Sequence, residues 1–355
     1  MKKCSTAVFM DTSLNAILES LSDSVGECSY TFDKGARLVG LDLVGERLES
    51  LFSLYRISEA DEKGVDLLEH IVGYWPGLFN CGNIKKADLT LLLDDILEQI
   101  GLADLRSADS LVVFVPDLDR ANQDFTLELS SKWDKLSDEL KYRNRFFLSE
   151  AIDWDSIQTM LESLGKTHAK DTRFFRARIS EEKIEKDQIG KPPPEKAIAG
   201  RANPGGIPYL YVATDKETTH YESRAGLHEQ MYIGEFVVID TISVVSLERI
   251  EYLGPVEIQE KGVDLEEFIR YRAFLIRLSQ ELSRPIRKKD LDFDYIPTQY
   301  LCEYIKSLGF DGVQYQSSMN PSGSNLAIFN DDKLECIDLR VFSVDQVSYA
   351  VSETV

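Results

Sequence analysis

RFFRARI, residues Arg173–Ile179, is the stretch on which the fold turns. From Phe175 to Ile179 its apolar and polar side chains alternate, which is the pattern of a strand with one face buried. It follows a Gly165-Lys166-Thr167 break, and beyond it the texture of the chain changes. Further short β-rich runs read as strands at Tyr209–Ala213, Gly234–Val245, Gly312–Tyr315 and Leu326–Phe329. Two helices punctuate them, one over Asp264–Leu282 and one opened by Pro297-Thr298 and closed by Gly309. The second half is therefore expected to be an α+β domain, residues 166–355. A long polar loop, Lys191–Gly206, interrupts it, and loops of that length inside a domain more often bind ligands than idle.

Before the break, residues 1–165 read as a mainly α domain. Leu38, Leu41, Leu48, Leu51 and Leu54 recur at near-helical spacing over Arg37–Tyr55. A second helix follows the charged stretch Asp61–Gly64. Leu89, Leu92, Leu93 and Ile96 mark a helix over Lys86–Ile100 that Gly101 ends. Helices are also expected over Asp134–Phe147 and Trp154–Leu164, with SLVVFVP, Ser110–Pro116, as the one strand-like interruption. Two domains suit 355 residues, at roughly 150 residues each.

Charge narrows the partners. A formal net charge of -21 repels phosphate backbones and anionic membranes, so neither nucleic acid nor a membrane is an expected partner. A small anion remains open if arginines gather in one pocket. No run is apolar enough to span a bilayer and no signal-like core precedes Asp11, so a cytoplasmic location is expected. Cys4, Cys28, Cys81, Cys302 and Cys336 include no CxxC pair, and His70, His168, His220 and His228 form no HExxH, so reduced thiols and no metal site are expected.

Four segments carry chemistry-bearing residues: FFRAR (Phe174–Arg178), GRANPGGIPYLYVA (Gly200–Ala213), THYESRAG (Thr219–Gly226) and FDGVQYQSSMNPSGSNLAIF (Phe310–Phe329). Gly200, Gly205 and Gly206 allow close backbone approach, beside Asn203 and a guanidinium, Arg201, suited to bidentate phosphate contacts. Arg176 within a half-buried strand needs an anionic partner or ligand. Each has an ordinary explanation as well: an exposed turn, a structural ion pair, a tyrosine that packs, a solvated Glu222, and Ser317 and Ser318 as turn formers.

In their order along the chain the segments resemble the RES family, whose members are similar to the ADP-ribosyltransferase fold and consume NAD. The resemblance runs from about Arg173 to Phe329. It carries the catalytic roles to Arg176, Tyr211, Glu222 and Ser317. Arg201 matches the family's GR loop, and DYIPTQY (Asp294–Tyr300) with GFDGVQYQSS matches its C-terminal half. Arg178 competes with Arg176 for the first role. Gln316 and Met319 flank the serine where the family pattern has Pro and often Arg. Asn203, Gly205, Arg178 and Ser318 are the accompanying substrate-binding candidates.

The implied reaction is cleavage of the nicotinamide–ribose bond of NAD, which is a substrate here rather than a cofactor, by a glycohydrolase or by a phosphorylase using inorganic phosphate. Nicotinamide leaves neutral and the sugar becomes oxocarbenium-like, so a carboxylate, Glu222, would stabilise it. Tyr211 would pack on the nicotinamide ring, Arg176 and Arg201 would clamp the pyrophosphate, and Ser317 would orient ribose or phosphate. By resemblance the protein would be a growth-arresting toxin or a phage-defence effector. The alternatives are an ADP-ribosyltransferase acting on a macromolecule and an inactive nucleotide-binding protein.

The first half resembles, more weakly, the HEPN-like domain that precedes some RES domains. Cys4 and Cys28 stand where some such domains carry cysteine pairs. No arginine lies a few residues ahead of His70, His168 or His220, so ribonuclease chemistry is not expected there. Docking is the expected role: on a second copy of the chain, or with a protein inhibitor or activator that restrains a self-poisoning enzyme.

Overall fold

The computed structural model describes residues 2–22, 24–106, 111–118, 120–149, 152–284 and 292–347. The chain divides into two compact units, one of residues 1–130 with 249–274 and one of residues 131–248 with 275–355.

The second unit is built on an eight-stranded sheet. Its strands are β1 (Gly165–His168), β2 (Arg173–Ile179), β3 (Leu210–Ala213), β4 (Gln230–Val238), β5 (Ile242–Ser246), β6 (Gly312–Gln316), β7 (Ser324–Ile328) and β8 (Leu334–Ser343), in the spatial order β8-β4-β2-β3-β7-β6-β5-β1. Neighbours are antiparallel except β5 and β6. Alternation decides the faces. Phe174, Leu210, Val212, Leu326 and Ile328 enter a buried core with Phe236, Val238, Ile242 and Val244. Helix α1 (Lys216–Ser223) leaves β3 at once, its start fixed by Asp215, whose carboxylate accepts from Thr218 N at 2.7 Å. Helix α2 (Ile296–Ser307) ends before Gly309, whose φ of 89° closes it.

Between β2 and β3 the ladder holds a single register pair, Phe175 opposite Ala213, whereas β2 runs beside β4 from Arg173 to Ile179. The sheet therefore parts along one internal seam.

The first unit is helical with two small sheets. Helices run over Thr12–Leu21, Leu41–Phe52, Leu67–Tyr74 and Lys86–Gln99. Asp11 ties remote segments together: one carboxylate oxygen caps the first helix through Leu14 N, and the other accepts from Val256 and Glu257 N. Burial raises the pKa of this carboxyl. A side chain at Gly254 would collide with it, so glycine is required there. Cys4 and Cys28 are buried in this unit, with Ser5 N donating to Cys28 Sγ at 3.2 Å.

Several expected boundaries shift. Ala36–Gly40 is a strand between Lys3–Ser5 and Ser24–Gly26, so the helix expected from Arg37 begins at Leu41. The strand-like stretch 110–116 is therefore not the one interruption; Val112–Phe114 pairs with Tyr55–Ile57, and Ser110 lies outside the described residues. The helix expected over Asp134–Phe147 runs Arg120–Tyr142, and the run Gly234–Val245 is two strands, β4 and β5. Among the described residues no helix is long and apolar enough to cross a membrane.

His168, at the end of β1, meets Gln314 Oε1 through Nε2 at 2.9 Å and packs edge-on against Phe174. Burial holds its pKa below the ordinary histidine value of 6.5, and burial does the same to His70. The unfolded chain therefore takes up these protons first. Their stabilising effect is present above about pH 6.5 and is lost as pH falls toward and through the lower folded values. Thermal unfolding midpoints should drop on acidification below that point, and His168→Gln should flatten part of the drop.

Candidate active-site cleft

A cavity of about 460 Å³ opens at the seam between β2 and β3, a size that suits a small-molecule ligand. One row of residues crosses its floor. Phe175 stands opposite Ala213, Ala213 opposite Asn325, and Asn325 opposite Tyr315, so four strands turn these side chains to one face. Tyr211 is two residues from Ala213 and shares that face.

Arg176, by alternation on the side of Phe174, reaches the gap where the strands part, and its Nη1 donates to the Tyr211 carbonyl at 2.9 Å. Its Nε is buried with no hydrogen-bond partner, and no carboxylate ion-pairs with it among the described residues. Burial first, and then the nearby Arg178 charge, lower its pKa to about 10. A guanidinium held this way favours an anion that would restore its pairing. Arg178 takes a different course: it is exposed and its Nη1 donates to Gln188 O, away from the cleft lining.

Arg201 is buried at 7% exposure, with its guanidinium 5.7 Å from the centre of the Tyr315 ring. Burial pushes the Tyr315 phenol up to about 12. Helix α2 holds the backbone of this loop: Thr298 Oγ1 donates to Arg201 O at 2.7 Å and Gln299 Nε2 to Gly200 O at 2.8 Å. These two contacts give the DYIPTQY segment a physical role, which its sequence alone does not reveal.

Asn203 is committed to its own loop. Its Nδ2 lies within reach of the carbonyls of Ile198, Pro204 and Ile207, and its Oδ1 accepts from the Tyr211 hydroxyl at 2.7 Å. The same hydroxyl accepts from Ala202 N at 3.1 Å. Tyr211 thus presents its ring to the cleft while its hydroxyl pins the loop. Gly200 is required by this packing, because a Cβ there would lie 2.4 Å from Asn203 Oδ1 and 2.8 Å from the Tyr211 oxygen. Gly205 lies in the same loop, outside the cleft lining.

Glu222 enters from the last turn of α1, and Thr219, Glu222 and Ser223, at i, i+3 and i+4, all line the cavity. Its Oε1 accepts from Ser317 Oγ at 2.6 Å and from Asn325 Nδ2 at 2.7 Å. Ser317 is buried, and its Oγ also accepts from the backbone of Met319 and Asn320. The turn that carries it is docked on α1 by Asn320 Nδ2 donating to Thr218 Oγ1 at 2.9 Å. Gly323 abuts the same threonine, and any side chain there would overlap it. Ser318 is exposed and outside the lining.

Of the residues expected from sequence, Arg176, Arg201, Asn203, Tyr211 and Glu222 line one cleft, and Ser317 touches Glu222 from behind it. Asn325 carries no site signal of its own in the sequence, and Thr298 and Gln299 carry none beyond their place in DYIPTQY. All that the sequence shows of Asn325 is a lone amide in the apolar run NLAIF. Residues 173–352, half of the chain, match the family described as the RES domain. A solved structure titled as the M. tuberculosis MbcT-MbcA toxin-antitoxin complex is similar at 13% identity and a TM-score of 0.32, covering 54% of this chain and 94% of that chain. No curated protein matches significantly.

Tyr211→Phe should leave Ala202 N and Asn203 Oδ1 without their shared partner and destabilise the second unit by about 1–3 kcal/mol, read by denaturant unfolding. Gly200→Ala should be worse tolerated than Gly205→Ala, since only the former introduces a clash.

Proposed function

The chain belongs to the RES domain family, and from that premise we propose that its cleft cleaves the nicotinamide–ribose bond of NAD. The observation that carries this reading is a carboxylate braced on one oxygen, Glu222, sharing a cleft with Arg176 and Arg201, two guanidiniums without carboxylate partners among the described residues. That combination suits a substrate with a diphosphate at one end and a bond that breaks to a cation at the other. It also supports an active enzyme over an inert nucleotide-binding protein.

Arg176 and Arg201 hold the pyrophosphate by fork-shaped contacts. The Tyr211 ring, steadied by its anchored hydroxyl, offers a surface for the nicotinamide. As the C–N bond breaks, its electron pair departs with neutral nicotinamide, and the Glu222 carboxylate stabilises the positive charge left on the ribose. An acceptor then adds to the anomeric carbon, any proton it gives up passing to solvent: water in a glycohydrolase, inorganic phosphate in a phosphorylase, or a macromolecular nucleophile in an ADP-ribosyltransferase of the fold type that the sequence resembles. NAD is the substrate, and the reaction calls for no cofactor.

A protein that drains NAD poisons its host, so a toxin or defence effector under the control of a protein inhibitor or activator is the biological role we propose. The family match begins at residue 173. The HEPN-like character of the first half, and docking through it, are proposals resting on sequence resemblance.

Incubation of the purified protein with NAD, with and without phosphate, and identification of products by mass, tests the reading. Nicotinamide should appear, accompanied by ADP-ribose or its 1-phosphate. Glu222→Gln should fold and bind NAD yet lose about a hundredfold or more in kcat, since the lost charge acts mainly on the transition state. Arg176→Lys and Arg201→Lys should raise KM, because an ammonium replaces a two-pronged contact poorly. Nicotinamide release at the wild-type rate from Glu222→Gln would remove the carboxylate from the reaction.

A further inference from the structure

Glu222 receives its two side-chain hydrogen bonds on the same atom. Ser317 Oγ and Asn325 Nδ2 both donate to Oε1, at 2.6 and 2.7 Å, and Oε2 has no hydrogen-bond partner among the described residues. The donors come from independent places. Ser317 opens the turn after β6 and its oxygen is fixed by two backbone amides, so its single proton has one good direction, toward Glu222. Asn325 sits on β7 in register with Ala213 on one side and Tyr315 on the other, on the floor of the cleft. Both are at least nine-tenths buried, Ser317 at 2% and Asn325 at 8% exposure.

We propose that Asn325 is a positioning residue which, with Ser317, clamps Oε1 of Glu222 so that Oε2 is presented to the ribose; the proposal rests on the reading of the cleft as an NAD-cleaving site. Two donors from independent elements on one oxygen fix the plane of the carboxylate, so that its other oxygen keeps a single orientation. The role proposed for Glu222 is electrostatic, exerted from a fixed position. This agrees with the chemistry, since nicotinamide leaves neutral and needs no proton. It also moves Ser317 from a group expected on ribose or phosphate to one acting through Glu222. Neither donor is charged, so the clamp orients the carboxylate without cancelling the field that the oxocarbenium needs. The charged and titratable groups around the cleft, Arg176, Arg201, Tyr209, Tyr211 and Tyr315, are untouched by this arrangement and stay in every variant below.

The test compares Asn325→Ala and Asn325→Asp with the wild type in nicotinamide release over a range of pH. Asn325→Ala should lower kcat by about a hundredfold, the usual scale for a misplaced reacting group, with KM for NAD little changed. Asn325→Asp keeps the shape of the side chain and exchanges a donor for an acceptor. It should be slow at neutral pH and recover on acidification, when one proton shared between the two carboxylates restores a donor to Oε1. A purely structural asparagine would give neither the kcat-against-KM split nor an inverted pH profile, so wild-type kcat in Asn325→Ala, or a wild-type pH profile in Asn325→Asp, overturns the proposal. In parallel, crystal structures of all three proteins read the position of the Glu222 carboxylate directly. It should leave its wild-type orientation in both Asn325 variants, and an unmoved carboxylate counts against the clamp. If the wild type released no nicotinamide, the reading of the cleft would fall while these structures still judged the clamp.

Discussion

The seam between β2 and β3 is the constraint on which the rest of the second unit depends. Two adjacent strands that pair only at Phe175 and Ala213 leave backbone groups that need other partners. One of them, the Tyr211 carbonyl, is met by the Arg176 guanidinium. The same parting of strands that makes room for a ligand therefore fixes the cation that would receive it. Across β3, β7 and β6 the ladder is regular again, and it sets Asn325 and Tyr315 beside the opening.

Around this seam, neutral hydrogen bonds do the positioning and charges are left for the ligand. The loop carrying Arg201 is held by Thr298, Gln299, Asn203 and the Tyr211 hydroxyl, and the turn carrying Ser317 by backbone amides and Asn320. No carboxylate is spent on either arginine among the described residues, in a chain whose net charge is -21. Local geometry opposes the global field at one place, as anion recognition by an acidic protein requires.

How legible this was depended on the range of the interactions. The strand Arg173–Ile179 and the helix Lys86–Gln99 could be read closely because periodicity is a local signal. Ala36–Gly40 could not, since leucines at near-helical spacing continue through it and its strand partners lie at Lys3–Ser5 and Ser24–Gly26. At the site, the resemblance of ordered motifs pointed to Arg176, Arg201, Tyr211 and Glu222, which line one cleft. The contacts that aim them were invisible: Asn325 and Glu222 are 103 positions apart, and Thr298 and Arg201 97. Arg176 and Arg178 look alike on one strand face, and only the opening of the seam separates a cleft residue from an exposed one.

In the proposed reaction the two arginines would hold a part of the molecule that the chemistry leaves unchanged. A pyrophosphate is the same before and after the glycosidic bond breaks, so contacts to it stabilise substrate and product alike. Departure of nicotinamide would remove only what lay against the Tyr211 ring, and the phosphate-bearing fragment would keep its hold. An enzyme of the proposed design would be held back by its own product, and its turnover would then be set by how fast that fragment escapes rather than by how fast the bond is cut.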